Sequence, residues 1–194
     1  TTDLIMSNRK MFKYEMIWQK SIPSNFMQVN RMPLKYHENI LVFFNNPSTY
    51  NTVYIFERED SGKERYKYKI NSDRTQSEQY YIERNKTKYD IEKKNPMSVV
   101  KINNETRNNG CIHPTQKPIE LFSYFIKTYT NENDIVFDGY SGSGTTAIAC
   151  IRNNRKYIIC ENKKEYFDLQ TKRIQEEIDK TSLFNSLGGG DKIN

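Results

Sequence analysis

Apolar residues recur along this chain at two spacings, and the spacing changes several times. Residues 3–10 read as the end of a helix. Phe12, Tyr14, Met16 and Trp18 then alternate with polar residues, the period of a strand. A polar, proline-containing stretch runs to about residue 37, and "NILVFF" (39–44) predicts a second short strand. "NNPSTYN" (45–51) is rich in turn formers and closes this part. In residues 52–97 apolar positions are sparse and no period persists, so the segment is expected to be a surface insertion or partly disordered. "PMSVVKI" (96–102) predicts a strand returning to the core.

The pattern sharpens after residue 110. Pro118 suits a first helical turn, and Ile119, Phe122, Phe125, Ile126 and Tyr129 follow at helical spacing. After the loop "NEND", "IVF" (135–137) predicts a buried strand; Thr145–Arg152 predicts a helix that Asn153 and Asn154 end. "KYIIC" (156–160) predicts another buried strand closing on Glu161. Asn162 and Glu165 have the spacing of a capping box for a last helix to about residue 180, and 182–194, with "GGG" at 188–190, reads as a flexible tail. Strands alternating with helices indicate an α/β, Rossmann-like fold.

Composition narrows the partners. The 194 residues carry a formal charge of +6 with fourteen Tyr and ten Phe, a mixture that suits nucleic acid better than a membrane surface. Segment 58–94 alone holds 11 Lys/Arg against 8 Asp/Glu, with five Tyr. No apolar run approaches the roughly 20 residues of a membrane span, and there is no signal-peptide pattern. Cys111, Cys150 and Cys160 have no metal-ligand spacing and read as thiols of a reducing cytoplasm.

The candidate chemistry lies in "IVFDGYSGSGTTAIAC" (135–150): a strand, a glycine-rich turn and a helix N-terminus. A phosphate loop of the Walker type needs Gly-Lys-Ser/Thr, but Gly144 is followed by Thr145. Gly142-x-Gly144-x-x-Ala147 fits a dinucleotide fingerprint, with Glu161 placed to accept ribose hydroxyls. Against a dinucleotide, Asp138 at the strand tip would repel a pyrophosphate and suits a ligand with an amino or sulfonium group. Only 50 residues follow Gly144, so the other strands of such a sheet would come from upstream, a permuted order. A nicotinamide dinucleotide stays open as the alternative ligand.

Residues 113–174, "HPTQKPIELFSYFIKTYTNENDIVFDGYSGSGTTAIACIRNNRKYIICENKKEYFDLQTKRI", resemble the C-terminal half of the β-class amino DNA methyltransferases. "HPTQKP" is similar to that family's motif X, and Asp138–Thr146 to its motif I, with Gly139-Tyr140 in place of Pro-Phe. "FKYEMIWQK" and "NRMPLKYHENILVFF" resemble upstream family segments. The resemblance implies a Rossmann-like fold in permuted order, its core in 1–51 and 98–181 and a target-recognition insertion at 52–97. It implies methyl transfer from S-adenosylmethionine to a base amine of double-stranded DNA, adenine N6 first, in a bacterial or phage-encoded cytoplasmic protein that uses no metal.

The implied cofactor residues are Asp138, Tyr140, Ser141, Gly142, Ser143, Gly144, Thr145 and Glu161, with Thr115, Gln116, Lys117 and Pro118 closing the side. His113 is expected to be structural. Arg31, Lys35 and His37 fall where family members approach DNA. The family's catalytic Asp/Asn/Ser-Pro-Pro-Tyr/Phe sequence is not present: the six prolines are all isolated. No catalytic residue is therefore assigned. The expectation is a chain whose catalytic segment is truncated, lost or supplied by a second chain; a non-catalytic or split DNA- and cofactor-binding subunit is the alternative.

Overall fold

A computed structural model of the protein describes residues 1–46, 48–57, 66–70, 93–94, 96–105 and 116–186. The chain divides into two compact units, Thr1–Lys101 with Lys127–Tyr129, and Ile102–Ile126 with Thr130–Asn194.

In the first unit a short helix α1 (Thr2–Ser7) precedes β1 (Phe12–Ser24). Strand β1 pairs antiparallel with β2 (Lys35–Phe43) and parallel with β6 (Val99–Lys101), giving the order β2-β1-β6. The alternation in the sequence is real: Met16, Trp18 and Lys20 are the buried positions of β1. The strand continues six residues beyond Trp18, past Pro23. The ladder is irregular there, jumping from Gln19↔His37 to Ser24↔Lys35, and such a break accommodates a residue with no N–H to donate. Strand β2 begins at Lys35, four residues before its apolar run, because pairing to β1 extends the ladder through polar residues. The buried Lys20 ammonium donates to Ser24 Oγ at 3.0 Å and meets Glu38 Oε1 at 3.5 Å.

Strands β3 (Val53–Glu57), β4 (Tyr66–Ile70) and β5 (Lys93–Lys94) form a separate antiparallel sheet in the order β4-β3-β5. The stretch expected to be a surface insertion or partly disordered thus holds regular strands where it is described. "YKYKI" alternates at period two; Tyr and Lys simply do not register as an apolar/polar pair. Residues 58–65, 71–92 and 95 lie outside the described residues.

The second unit holds β7 (Ile135–Asp138) and β8 (Lys156–Ile159), parallel and in register from Ile135↔Lys156 to Asp138↔Ile159. Three helices accompany them: α2 (Ile119–Tyr129, shared in its last turn with the first unit), α3 (Thr145–Arg152) and α4 (Lys164–Ser186). Helix α3 is the centre of the core, with Thr145–Cys150 all buried. Ala147 and Ala149 are fully buried, and such small side chains let neighbouring elements lie close. Val136, Tyr157 and Ile159 pack on this core with Ile119 and Phe122. Arg152 forks onto Glu177 with N–O distances of 2.5 and 2.9 Å, joining α3 to α4.

Three expectations are corrected here. The strands are half-buried on one face and exposed on the other, where Ile135, Phe137 and Ile158 are 62, 68 and 53% exposed. An apolar run does not report how many faces are covered. Helix α4 opens at Lys164, one residue later than an Asn162 cap requires, and Glu161 accepts the Lys163 N–H of that turn. The same helix runs through Ser186, into the expected tail, because no Gly or Pro interrupts it before Gly188. Residues 187–194 lie outside the described residues.

Ile148 is 1% exposed and packs in the α3 core. Ile148→Ala is expected to cost about 2–5 kcal/mol, read as a shift in the denaturant midpoint; a shift below about 0.5 kcal/mol would contradict this core assignment.

Candidate functional site

The site grows from the carboxyl ends of β7 and β8. The Cys160 N–H donates to the Asp138 carbonyl at 2.9 Å, and the Ser141 N–H donates to the Cys160 carbonyl at 3.0 Å. These bonds fix the 138–144 loop onto the strand ends, the position where open α/β sheets bind ligands.

Asp138 organises the loop from its start. Its Oδ1 accepts the Tyr140 N–H at 2.9 Å and its Oδ2 accepts the Thr146 hydroxyl. A carboxylate has about four acceptor positions, so these bonds leave capacity for a ligand donor. Glu161 braces the loop from the other strand. Its Oε2 accepts the Gly142 N–H and its Oε1 the Lys163 N–H, both at 2.9 Å. The Lys163 bond, followed by that of Gly142, holds the Glu161 carboxyl below the usual range.

The two glycines do different work. Gly142 has φ +52°, and a Cβ there would meet nothing within 4 Å. Gly144, the N-cap of α3, has φ +75°, and a Cβ there would lie 3.0 Å from Gln170 Cβ and 3.3 Å from Ile174 Cδ1. Gly142 thus satisfies backbone conformation alone, whereas Gly144 also lets α4 approach.

A cavity of about 230 Å³ opens above this loop. Of the residues expected at a cofactor site, Asp138, Tyr140, Ser141, Gly142, Ser143, Thr145, Glu161, Gln116 and Lys117 line it. Gly144 does not; it packs against α4. Pro118 also stays out of the lining and serves as the N-cap of α2. Thr115, His113 and Cys111 lie outside the described residues. The hydroxyls of the loop are turned to the protein. Ser141 Oγ lies 2.7 Å from Gln170 Oε1 and 3.0 Å from the Cys160 carbonyl, and Ser143 Oγ lies 3.2 Å from Thr145 Oγ1.

Phe122, Thr146, Lys163 and Tyr166 line the cavity without having been assigned to the cofactor site from the sequence. Phe122 carries the helical period that marks core residues. Lys163 and Tyr166 are three apart at the start of α4, with Nζ 5.5 Å from the ring centroid; that spacing was the available signal. Glu105 was also missed: its Oε1 accepts the Ile119 N–H at 3.0 Å and its other oxygen accepts from Gln116 Nε2. No local pattern announces a contact across that separation in sequence.

The expected DNA residues lie in the first unit. Lys35 and His37 are two apart on β2 and share a face. Arg31 lies on the turn after a short 3₁₀ helix (Phe26–Gln28), and all three are exposed. Among the described residues there is no His/Cys/Asp/Glu cluster fit to hold a metal, and no helix long and apolar enough to cross a membrane. Cys150 and Cys160 are free thiols, and burial pushes the Cys150 thiol up to about 11.

Gly144→Ala is expected to lower stability by about 2–4 kcal/mol, combining strain at positive φ with overpacking against α4. Gly142→Ala carries the strain alone, about 1–2 kcal/mol. Equal losses in denaturant titrations would contradict this division. Because the folded Glu161 carboxyl is depressed, its contribution to stability is present above the ordinary Glu range and is lost as pH falls through the lower folded value. Carboxyl NMR should find Glu161 titrating below 4.5, the unperturbed value; titration at or above it would exclude the loop bond as a persistent interaction.

Comparison with known proteins bears on the fold and the family. The family model described as DNA methylase, for the N6/N4 class, matches residues 2–173. The type II methyltransferase M2.MboI of Moraxella bovis is 44% identical over 64 residues, 33% of this chain and 23% of that protein. The orphan methyltransferase M.BamHII of Bacillus amyloliquefaciens is 47% identical over 66 residues, 34% of this chain and 25% of its own. These matches span about a quarter of the curated relatives' length. Among solved structures, the cytosine-N4-specific PvuII DNA methyltransferase superposes with a TM-score of 0.56 at 20% identity, over 98% of this chain and 62% of that one. A complex of M1.HpyAVI with S-adenosylmethionine gives 0.53 at 24% identity, over 89% and 66%. The fold is the α/β, Rossmann-like methyltransferase fold, and with the family model covering most of its length, the chain belongs to the N6/N4 DNA methylase family.

Proposed function

We propose that the cavity at the ends of β7 and β8 holds S-adenosylmethionine, and that the protein methylates a base amine of DNA. The observation that carries this reading is the pair of carboxylates, Asp138 and Glu161, at the ends of adjacent parallel strands with a glycine loop between them. Two acids disfavour a pyrophosphate and favour a ligand with an amino group, a sulfonium and ribose hydroxyls. The residues present therefore fit the methyl donor better than a dinucleotide. Complexes of M1.HpyAVI and of a Thermus thermophilus methylase with S-adenosylmethionine support the reading by analogy of fold.

In this reading Asp138 accepts from the ligand's amino group while keeping its bonds to Tyr140 and Thr146. Glu161 accepts the ribose hydroxyls on the lone pairs that Gly142 and Lys163 leave. The N-terminus of α3 faces the carboxylate, where its dipole is favourable. Tyr140, 95% exposed at the mouth, is free to lie against a planar ring. Bound there, the donor supplies a methyl group activated by its sulfonium. A base amine would take that methyl group directly, with cleavage of the carbon–sulfur bond and loss of a proton from the amine, so no cysteine would be needed. None of the 194 residues is assigned to the amine, since the sequence contains no Pro-Pro pair.

The +6 charge supports a polyanionic partner. Arg31, Lys35 and His37 are proposed as phosphate contacts and 52–97 as the target-recognition insertion. Adenine N6 is the acceptor we infer; cytosine N4, the target in the PvuII enzyme's name, is the competing amine.

Labelled S-adenosylmethionine incubated with the protein and unmodified DNA is expected to yield N6-methyladenine on nucleoside mass spectrometry. N4-methylcytosine would overturn the adenine assignment but keep amine methylation. Cofactor binding without product would mean that the catalytic segment is supplied from outside these 194 residues or has been lost. Asp138→Ala is expected to weaken S-adenosylmethionine binding by about 10–100-fold, the loss of a charge-assisted hydrogen bond. Thr146→Val, which removes only the loop bond, should weaken it less; the reverse order would give Asp138 a purely structural role.

A further inference from the structure

Two of the cavity's walls come from distant parts of the chain, the glycine loop and the residues 116–117 that lead into α2; Glu161, Lys163 and Tyr166 line it as well. Arg173, on α4, touches the first from outside the cavity. Its Nη1 donates to the Ser143 carbonyl at 3.0 Å and lies 3.3 Å from Thr145 Oγ1. Its Nη2 lies 4.0 Å from Glu105 Oε2, with the side chains only 17 and 15% exposed. Glu105 in turn holds the second wall, accepting from Gln116 Nε2 and from the Ile119 N–H. A series of polar contacts thus runs from Ser143 through Arg173 and Glu105 to residues 116–119, hydrogen-bonded at both ends and joined in the middle by the 4.0 Å ion pair.

We propose that Arg173 and Glu105 form a clamp that sets the spacing between the two cavity walls, and that both are positioning residues for the methyl donor. The inference rests on the proposed function, because it assigns the clamp's purpose to that ligand. The geometry suits arginine in particular. Its planar fork reaches a carbonyl with one nitrogen and a carboxylate with the other, which the point charge of a lysine does not. The neighbouring Arg152 gives its hydrogen bonds to Glu177 at 2.5 and 2.9 Å and reaches Glu105 only through its charge.

The test pairs binding with a measurement that needs no ligand. S-adenosylmethionine is titrated calorimetrically into the wild type, Arg173→Met, Glu105→Gln and the double variant. Each single change is expected to weaken binding about tenfold, and the double no more than the worse single, as for members of one network. Arg152→Met should stay within about twofold. In the ligand-free protein, hydrogen exchange at Ile119 should accelerate in Arg173→Met, although Arg173 does not touch that amide. Single variants within about twofold of wild type, or a double loss equal to the product of the two, would overturn the clamp. If the wild type binds no S-adenosylmethionine, the proposed function falls, and unchanged Ile119 exchange would then overturn the clamp separately. Should Arg173→Met melt without cooperativity, Arg173→Lys and Glu105→Gln carry the same test: unchanged affinity and exchange in both refutes the proposal.

Discussion

The turn at Gly144 is the constraint on which the second unit depends. The backbone must reverse from β7 into α3 with φ +75°, and it must do so where α4 leaves only 3.0 Å for a Cβ. One missing side chain therefore sets two things at once. It places the N-terminus of α3 at the cavity, and it lets α4 press Gln170 and Ile174 against the same turn. Ser141 is then close enough for Gln170 to take its hydroxyl. The serine hydroxyls of the loop are spent on the fold, which leaves backbone groups, Tyr140 and the two acids to meet a ligand.

Those acids have a double role that follows from their capacity as acceptors. Asp138 and Glu161 each bind two groups of the protein, and each opens onto the cavity. A carboxylate that is already hydrogen-bonded is held charged and oriented before a ligand arrives, as the depressed Glu161 carboxyl illustrates. Preorganisation of this kind lowers the cost of ordering on binding.

Much of this was legible in the sequence wherever one local rule governed. The helical period of Ile119, Phe122, Phe125, Ile126 and Tyr129 ends at the observed terminus of α2, and the helix expected over Thr145–Arg152 has the observed bounds of α3. Asp138 and Glu161 were readable as neighbours because each ends an apolar run, and parallel pairing does the rest. What failed needed non-local information. Phe137 is apolar yet 68% exposed, since the pattern of a strand does not say which face a helix covers. Gly144 reads as a ligand glycine, but its neighbours are Gln170 and Ile174, about thirty residues on. Glu105 and Arg173 carry no spacing signal at all; only the fold brings them within 4.0 Å. The Tyr-Lys alternation of β4 was a missed local signal, hidden by residues that are polar and strand-forming together.

The most direct measurement is a crystal structure of the protein grown with S-adenosylmethionine. The account predicts the ligand in the cavity above Gly142, its amino group at Asp138 and its ribose hydroxyls at Glu161. A ligand bound elsewhere, or lying there with neither carboxylate in contact, would contradict it.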